Sequence, residues 1–291
     1  MRSDHTFKGP DGEFHYIDWG GSGPLAHISH ATGLCAGTYS PLAKRLKSKL
    51  RIVGMDDRGH GNSTAPADPH KLKTWDLFVD DLEGFFESLH EPVIAIGHSR
   101  GGVTSLVLAV KRPELIRAVI LIDPSIIPLF WTLPLFLARK LGLTRFIPMV
   151  AQAGRRKNVW PDRETLFDAY RNKGAFRTWD EEFLKAYIAD GTEETPDGSF
   201  KLCCEPLWEQ QTFASCLHDM WRYIPLIRQP TLLLYGANSY AFLPSAVKRF
   251  KANFPDATFR CYSENGHFLP MERPDDTVKT IITFLKEKKI I

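Results

Sequence analysis

Residues 93–112 constrain the fold of this chain more than any other stretch. Val93-Ile94-Ala95-Ile96 is a short uninterrupted apolar run, the mark of a strand buried on both faces. It leads into Gly97-His98-Ser99-Arg100-Gly101, and Leu106, Leu108, Ala109 and Val110 then continue a helix that ends near Pro113. A strand, a sharp turn carrying a serine and a helix place the strand in a parallel sheet and lift the hydroxyl above the sheet edge. Gly97 and Gly101 flank the serine where a side chain would meet a neighbouring strand or the helix start. A serine in an ordinary strand-to-helix turn is the plainer alternative. The order of elements is nevertheless what a G-x-S-x-G nucleophile elbow demands.

The rest of the chain keeps the same rhythm. Residues 13–19 alternate apolar and polar and end at Gly20-Gly21-Ser22-Gly23, which predicts an early strand of an antiparallel hairpin. Short buried strands are predicted over 25–30, 51–55, 93–97, 118–122, 231–235 and 258–262, with helices over 39–50, 75–89, 101–112 and 243–253. A last helix over 275–288 sets Val278, Ile281, Ile282 and Leu285 on one face. Such alternation predicts an α/β fold, a mostly parallel central sheet flanked by helices. From 125 to 216 the rhythm breaks: no buried strand is evident, and Trp160, Phe167, Tyr170, Phe176, Trp179, Phe183 and Tyr187 alternate with charges. The chain is therefore expected to divide into a core of residues 1–124 and 217–291 and an inserted helical cap over 125–216.

Composition narrows the function. With 43% hydrophobic residues in 291, the chain has ample material for a buried sheet. A net charge of +3, with no basic cluster interleaved with aromatics, gives nucleic-acid binding no support. The five cysteines (Cys35, Cys203, Cys204, Cys216 and Cys261) are odd in number and show no CxxC pairing, so free thiols in a reducing compartment are expected, without a metal site. The opening residues lack the apolar run of a signal peptide, so a cytoplasmic enzyme acting without a cofactor on a small-molecule substrate is the expectation. The longest apolar stretch, 126–138, is too short and too proline-broken to span a bilayer. It suits the wall of a greasy pocket, with Phe130, Trp131, Leu133 and Phe136 as substrate-binding candidates; the alternative is a place at a membrane surface. Oligomeric state stays open, a homodimer included.

A serine hydroxyl becomes a nucleophile when a base takes its proton and an acid orients that base. Among ten histidines, His267 lies in a loop directly after the last predicted strand, where it can swing over Ser99. His30 reads as a strand cap, His98 as a variable elbow position, and His60 as a loop fastener. An oxyanion needs two backbone donors. One is the amide of Arg100, just after the serine; for the other we take Thr32, in the loop His30-Ala31-Thr32-Gly33-Leu34. The loop after the 231–235 strand, Ala237-Asn238-Ser239-Tyr240, lacks the carboxylate expected there. Asp123, ending the strand next to that of Ser99, preserves the chain order Ser…Asp…His and is the best acid. Its plainer reading is an Asp-Pro turn starter.

The oxyanion loop, Asp56-Asp57-Arg58-Gly59-His60-Gly61-Asn62-Ser63, the elbow, Leu121-Ile122-Asp123-Pro124 and Gly266-His267-Phe268-Leu269-Pro270-Met271-Glu272-Arg273-Pro274 together resemble the α/β-hydrolase superfamily, serine type with a helical cap. His30-Ala31-Thr32-Gly33, Gly37-Thr38-Tyr39, Tyr170-Arg171 and Thr195-Pro196-Asp197-Gly198 resemble a bacterial branch of it. Two departures stand out: alanine follows His30 where many members have glycine, and many carry aspartate where this chain has Asn238, Ser239 and Tyr240. Some relatives place the acid where Asp123 stands, which supports Asp123 by analogy. The resemblance implies hydrolysis of an ester, lactone or thioester. C–C bond hydrolases use the same Ser/His pair, and a degenerate ligand-binding member is the non-enzymatic alternative. Epoxide hydrolases and haloalkane dehalogenases need a carboxylate nucleophile, which Ser99 does not supply.

Overall fold

The computed structural model describes residues 2–216 and 219–291. A hairpin of β1 (Ser3–Gly9) and β2 (Gly12–Gly20) opens the chain, followed by β3 (Leu25–Ser29), α1 (Ser40–Leu46), β4 (Arg51–Met55), α2 (Asp76–Ser88), β5 (Val93–His98), α3 (Arg100–Lys111) and β6 (Ile116–Ile122). The sheet resumes with β10 (Thr231–Gly236) and ends with α9 (Pro244–Asn253), β11 (Thr258–Tyr262), α10 (Leu269–Glu272) and α11 (Pro274–Glu287). Its eight strands run in the order β1-β2-β4-β3-β5-β6-β10-β11. β1, β2 and β4 pair antiparallel at one edge, and the strands from β4 to β11 pair parallel.

Alternation along β5 shows how the two layers form. Val93 and Ala95 face a core shared with α2, α3 and α9, while Ile94 and Ile96 face a core shared with α1 and α11. Burial on both faces is why this strand reads as an unbroken apolar run rather than an alternating one. Most predicted elements appear within two residues of their expected ends. The helix predicted over 39–50 is shorter, because residues 47–50 turn back to set Arg51 beside Leu25 in the β3–β4 pair.

Between β6 and β10 lie α4 (Leu129–Lys140), α5 (Pro148–Gly154), β7 (Val159–Trp160), α6 (Arg163–Tyr170), α7 (Glu181–Asp190), β8 (Thr192–Glu194), β9 (Phe200–Leu202) and α8 (Pro206–Ala214). The stretch is mostly helical, yet it holds a small antiparallel sheet in the order β7-β9-β8. Strands of two or three residues are too short to show a period, so the sequence carries no sign of them. The expected return to the core at residue 217 falls outside the described residues. All five cysteines are free thiols, and no described helix is long and apolar enough to cross a membrane.

Candidate active site

The parallel strands end at one sheet edge, and the side chains expected to carry chemistry gather there. Pairing of His98 with Ile122 sets the residues after them, Ser99 and Asp123, side by side. Pairing of Leu234 with Ile122 brings the end of β10 alongside. Ser99 sits in the turn with φ 57° and ψ −118°, a conformation that costs a non-glycine residue about 1–3 kcal/mol. Its surroundings enforce it: a Cβ at Gly97 would lie 2.3 Å from the Gly101 carbonyl oxygen, and one at Gly101 would lie 2.3 Å from that of Ser29.

His267 joins the two strand ends. Its Nδ1–H donates to Asp123 Oδ2 at 2.6 Å, which leaves Nε2 to accept from the Ser99 hydroxyl at 3.0 Å. Asp123 is fully buried with φ 43° and takes two further donors: the Gly236 amide at 3.1 Å and the Ser239 hydroxyl at 2.5 Å. Ser239 Oγ itself accepts from the amides of Ala241 and Phe242, so the loop without a carboxylate still holds Asp123 in place. Sequence reasoning missed this role. The signal was present, since a hydroxyl stands where the loop's carboxylate was expected. Ser125 was missed as well. With the Ser99 proton directed at His267, the Ser125 hydroxyl donates to Ser99 Oγ at 2.9 Å.

The two residues expected to supply oxyanion donors touch through the Arg100 side chain. In the loop after β3, the Ala31 amide donates to the Tyr39 hydroxyl, the Gly33 amide to His60 Nε2 and the Leu34 amide to the Ala31 carbonyl. Among the described residues, the Thr32 amide has no such acceptor, and Thr32 borders the cavity beside the site. The Arg100 amide opens α3, where helical amides lack intrahelical partners. The Arg100 side chain ties the two loops together: Nε donates to Thr32 Oγ1 at 3.2 Å, Nη2 pairs with Asp57 Oδ2 at 2.6 Å, and the guanidinium lies 4.1 Å from the Phe78 ring centre. Burial alone would raise the Asp57 carboxyl, but Arg100, His30 and His60 together hold it below its ordinary value.

His98 is no idle elbow residue, contrary to expectation. It is buried, its Nδ1 accepts from the Tyr39 hydroxyl at 2.6 Å, and its Nε2–H donates to the His267 carbonyl at 2.9 Å. Oxyanion loop, elbow and base loop are thus strung on one hydrogen-bonded chain. His30 Nε2 accepts from the Asp57 amide at 3.0 Å, so it fastens one loop to another rather than only capping β3. Burial pushes the pKa of His98 and His60 well below the ordinary histidine value and lowers that of His30.

A cavity of about 830 Å³ lies beside this edge, bordered by Thr32 and by the neighbours of His267. Tyr240 and Phe268, each with its ring centre 5.0 Å from that of His267, form its inner end. Trp160, Tyr170, Phe176 and Trp179 form an aromatic wall, and Arg156, paired with Glu209 at 3.2 Å, stands among them. The four residues expected to make an apolar pocket are elsewhere. Phe130, Trp131, Leu133 and Phe136 lie on α4, which buries none of its residues, and they do not border this cavity. An apolar run reports that side chains avoid water; it does not report what they meet. Among the described residues, no cluster of side chains could hold a metal ion.

The model of the alpha/beta hydrolase family matches residues 25–280. The chain belongs to the alpha/beta hydrolase family. Human epoxide hydrolase 4 is 28% identical over 291 residues, covering 94% of this chain and 76% of the human protein. The 2-(acetamidomethylene)succinate hydrolase of Mesorhizobium japonicum is 23% identical over 283 residues, covering 91% of this chain and 89% of that one. In structure, the chain is similar to E-2-(acetamidomethylene)succinate hydrolase, with a TM-score of 0.82, 21% identity, and coverage of 98% of this chain and 100% of the other. It is also similar to the thioesterase domain from the curacin biosynthetic pathway, with a TM-score of 0.75, 18% identity, and coverage of 97% and 99%.

Proposed function

We propose that this family member is a serine hydrolase that cleaves a carboxylic ester, lactone or thioester through an acyl-enzyme. The observation that carries the reading is His267, bonded to Ser99 Oγ through Nε2 and to Asp123 Oδ2 through Nδ1. In this mechanism Ser99 Oγ attacks the carbonyl carbon while its proton passes to His267 Nε2, and Asp123 stabilises the imidazolium. The negative charge on the carbonyl oxygen accepts hydrogen bonds from the Thr32 and Arg100 amides. Collapse breaks the bond to the leaving oxygen or sulfur, which takes the proton from Nε2. Water, deprotonated by His267, then attacks the acyl carbon and frees Ser99.

Epoxide hydrolase 4 and two haloalkane dehalogenases are among the similar proteins. Attack by an elbow carboxylate is the chemistry expected of such enzymes, and here the elbow offers a hydroxyl. The degenerate-binder alternative rested on the missing carboxylate beside Tyr240, and Asp123 on the imidazole removes that support. Labelling with a fluorophosphonate and mapping the adduct tests the proposal. A single adduct on Ser99, with turnover of p-nitrophenyl esters, is expected. No adduct, or one elsewhere, overturns it, and cleavage of a vinylogous diketone in preference to every ester moves the protein to the C–C hydrolases.

A further inference from the structure

The longest apolar run of the chain forms α4, and α4 buries none of its residues. Most of the large apolar side chains exposed among the described residues fall between 129 and 149: Leu129, Phe130, Trp131 and Leu133 on α4, with Leu141 and Phe146 among those after it. A contiguous apolar surface of this kind marks a place where a protein meets another phase or molecule. Charge decides which. Between Asp123 and Asp162 the chain has no carboxylate, but it has Arg139, Lys140, Arg145, Arg155, Arg156 and Lys157. Lys140 and Arg145 are exposed within the apolar stretch, and Arg155 and Lys157 are exposed at the rim of the cavity. Asp219, an acid that lines a pocket together with α4, is already paired with Arg222 at 3.0 Å. A second copy of this chain would set these cations against themselves, whereas anionic lipid would neutralise them.

We propose that the 129–149 face docks the protein peripherally on an anionic lipid surface. Phe130, Trp131, Leu133 and Phe146 enter the boundary between headgroups and acyl chains, and Lys140 and Arg145 meet the anionic headgroups. A helix of 12 residues is too short to cross a bilayer and lies in its interface. Met149 belongs both to this face and to the wall of the cavity that Thr32, Tyr240 and Phe268 border, so docking sets that cavity beside the lipid.

Flotation of the full chain with vesicles of phosphatidylcholine, alone or mixed with phosphatidylglycerol, tests the proposal. Binding to the mixed vesicles alone is expected, weakening as salt is raised. Lys140→Glu and Arg145→Glu should each lower the partition coefficient roughly fivefold or more, from about 1 kcal/mol per basic residue near the surface. The triple variant Phe130→Ser/Leu133→Ser/Phe146→Ser should abolish binding while its circular dichroism and Tm stay those of the parent. If that variant fails to fold, the two charge variants, both at exposed positions, carry the test alone. Equal binding to both vesicle types, no binding to either, or binding that survives these substitutions overturns the proposal. So does a parent dimer that the triple variant converts to monomer, which would mean that a second copy covers the face.

Discussion

The strand-end edge and the far wall of the cavity treat their polar groups in opposite ways. At the edge, both ring nitrogens of His267 are bonded and the Asp123 carboxylate takes three donors. In the wall, Trp160 Nε1, Tyr170 Oη, Trp179 Nε1 and Arg156 Nε are buried with no hydrogen-bond partner among the described residues. A buried donor left unpaired costs about 1–3 kcal/mol, so several together favour an acceptor there, from substrate or from water. At the edge, the Ser99, His267 and Asp123 side chains satisfy one another. The wall is built incomplete, for whatever completes it.

Removing the chemistry at the edge should have the largest effect. Ser99→Ala is expected to lower ester turnover by a factor on the order of 10⁵ and to abolish fluorophosphonate labelling. Asp123→Asn should cost about 10⁴ in kcat, since the wrong tautomer of His267 would face Ser99. A near-normal rate for Asp123→Asn in a p-nitrophenyl ester assay would transfer the acid's role to another group and break the contrast at its strongest point.

How much of each region could be read in advance follows from the same difference. Ser99, Asp123 and His267 are legible because each ends a strand or follows one, and parallel strands deliver their ends to a common edge. Ser239, Ser125 and the Tyr39–His98 link are not, because their roles depend on which loops pack together, and short polar side chains occur in every loop. The wall was barely legible. Its aromatics sit on short helices and two- or three-residue strands, where no period separates a buried residue from an exposed one. On α4 the hydrophobicity is legible, but not what the side chains meet, since they do not border the cavity beside Thr32.

Acid should reach the edge first. His30, His60 and His98 are buried there and His27 within β3, with pKa values lowered by burial, His27 to about 3. The folded state then binds fewer protons than the unfolded state once pH falls below about 6.5. Stability is therefore full above that pH and is lost as pH drops toward the folded-state values. The expected loss is on the order of 1–2 kcal/mol for each fully depressed histidine between pH 6.5 and 5. Urea midpoints measured from pH 8 to 5 should fall with unchanged m; a flat profile would show that these imidazoles are not held neutral by the fold.

The smallest effect tests the wall. Tyr170→Phe removes a hydroxyl that is buried without a partner, so the Tm of the free protein should hold or rise slightly. If that hydroxyl instead serves a substrate acceptor, kcat/KM for an ester bearing a carboxylate or carbonyl on its distal end should fall about three- to tenfold. For a plain alkyl ester of the same length it should barely change, because that substrate never used the donor. The difference between the two esters carries the information, since general damage to the fold would lower both together. Equal losses, or none, would mean that the unpaired donors of the wall belong to bound water, and selectivity would then have to come from its shape.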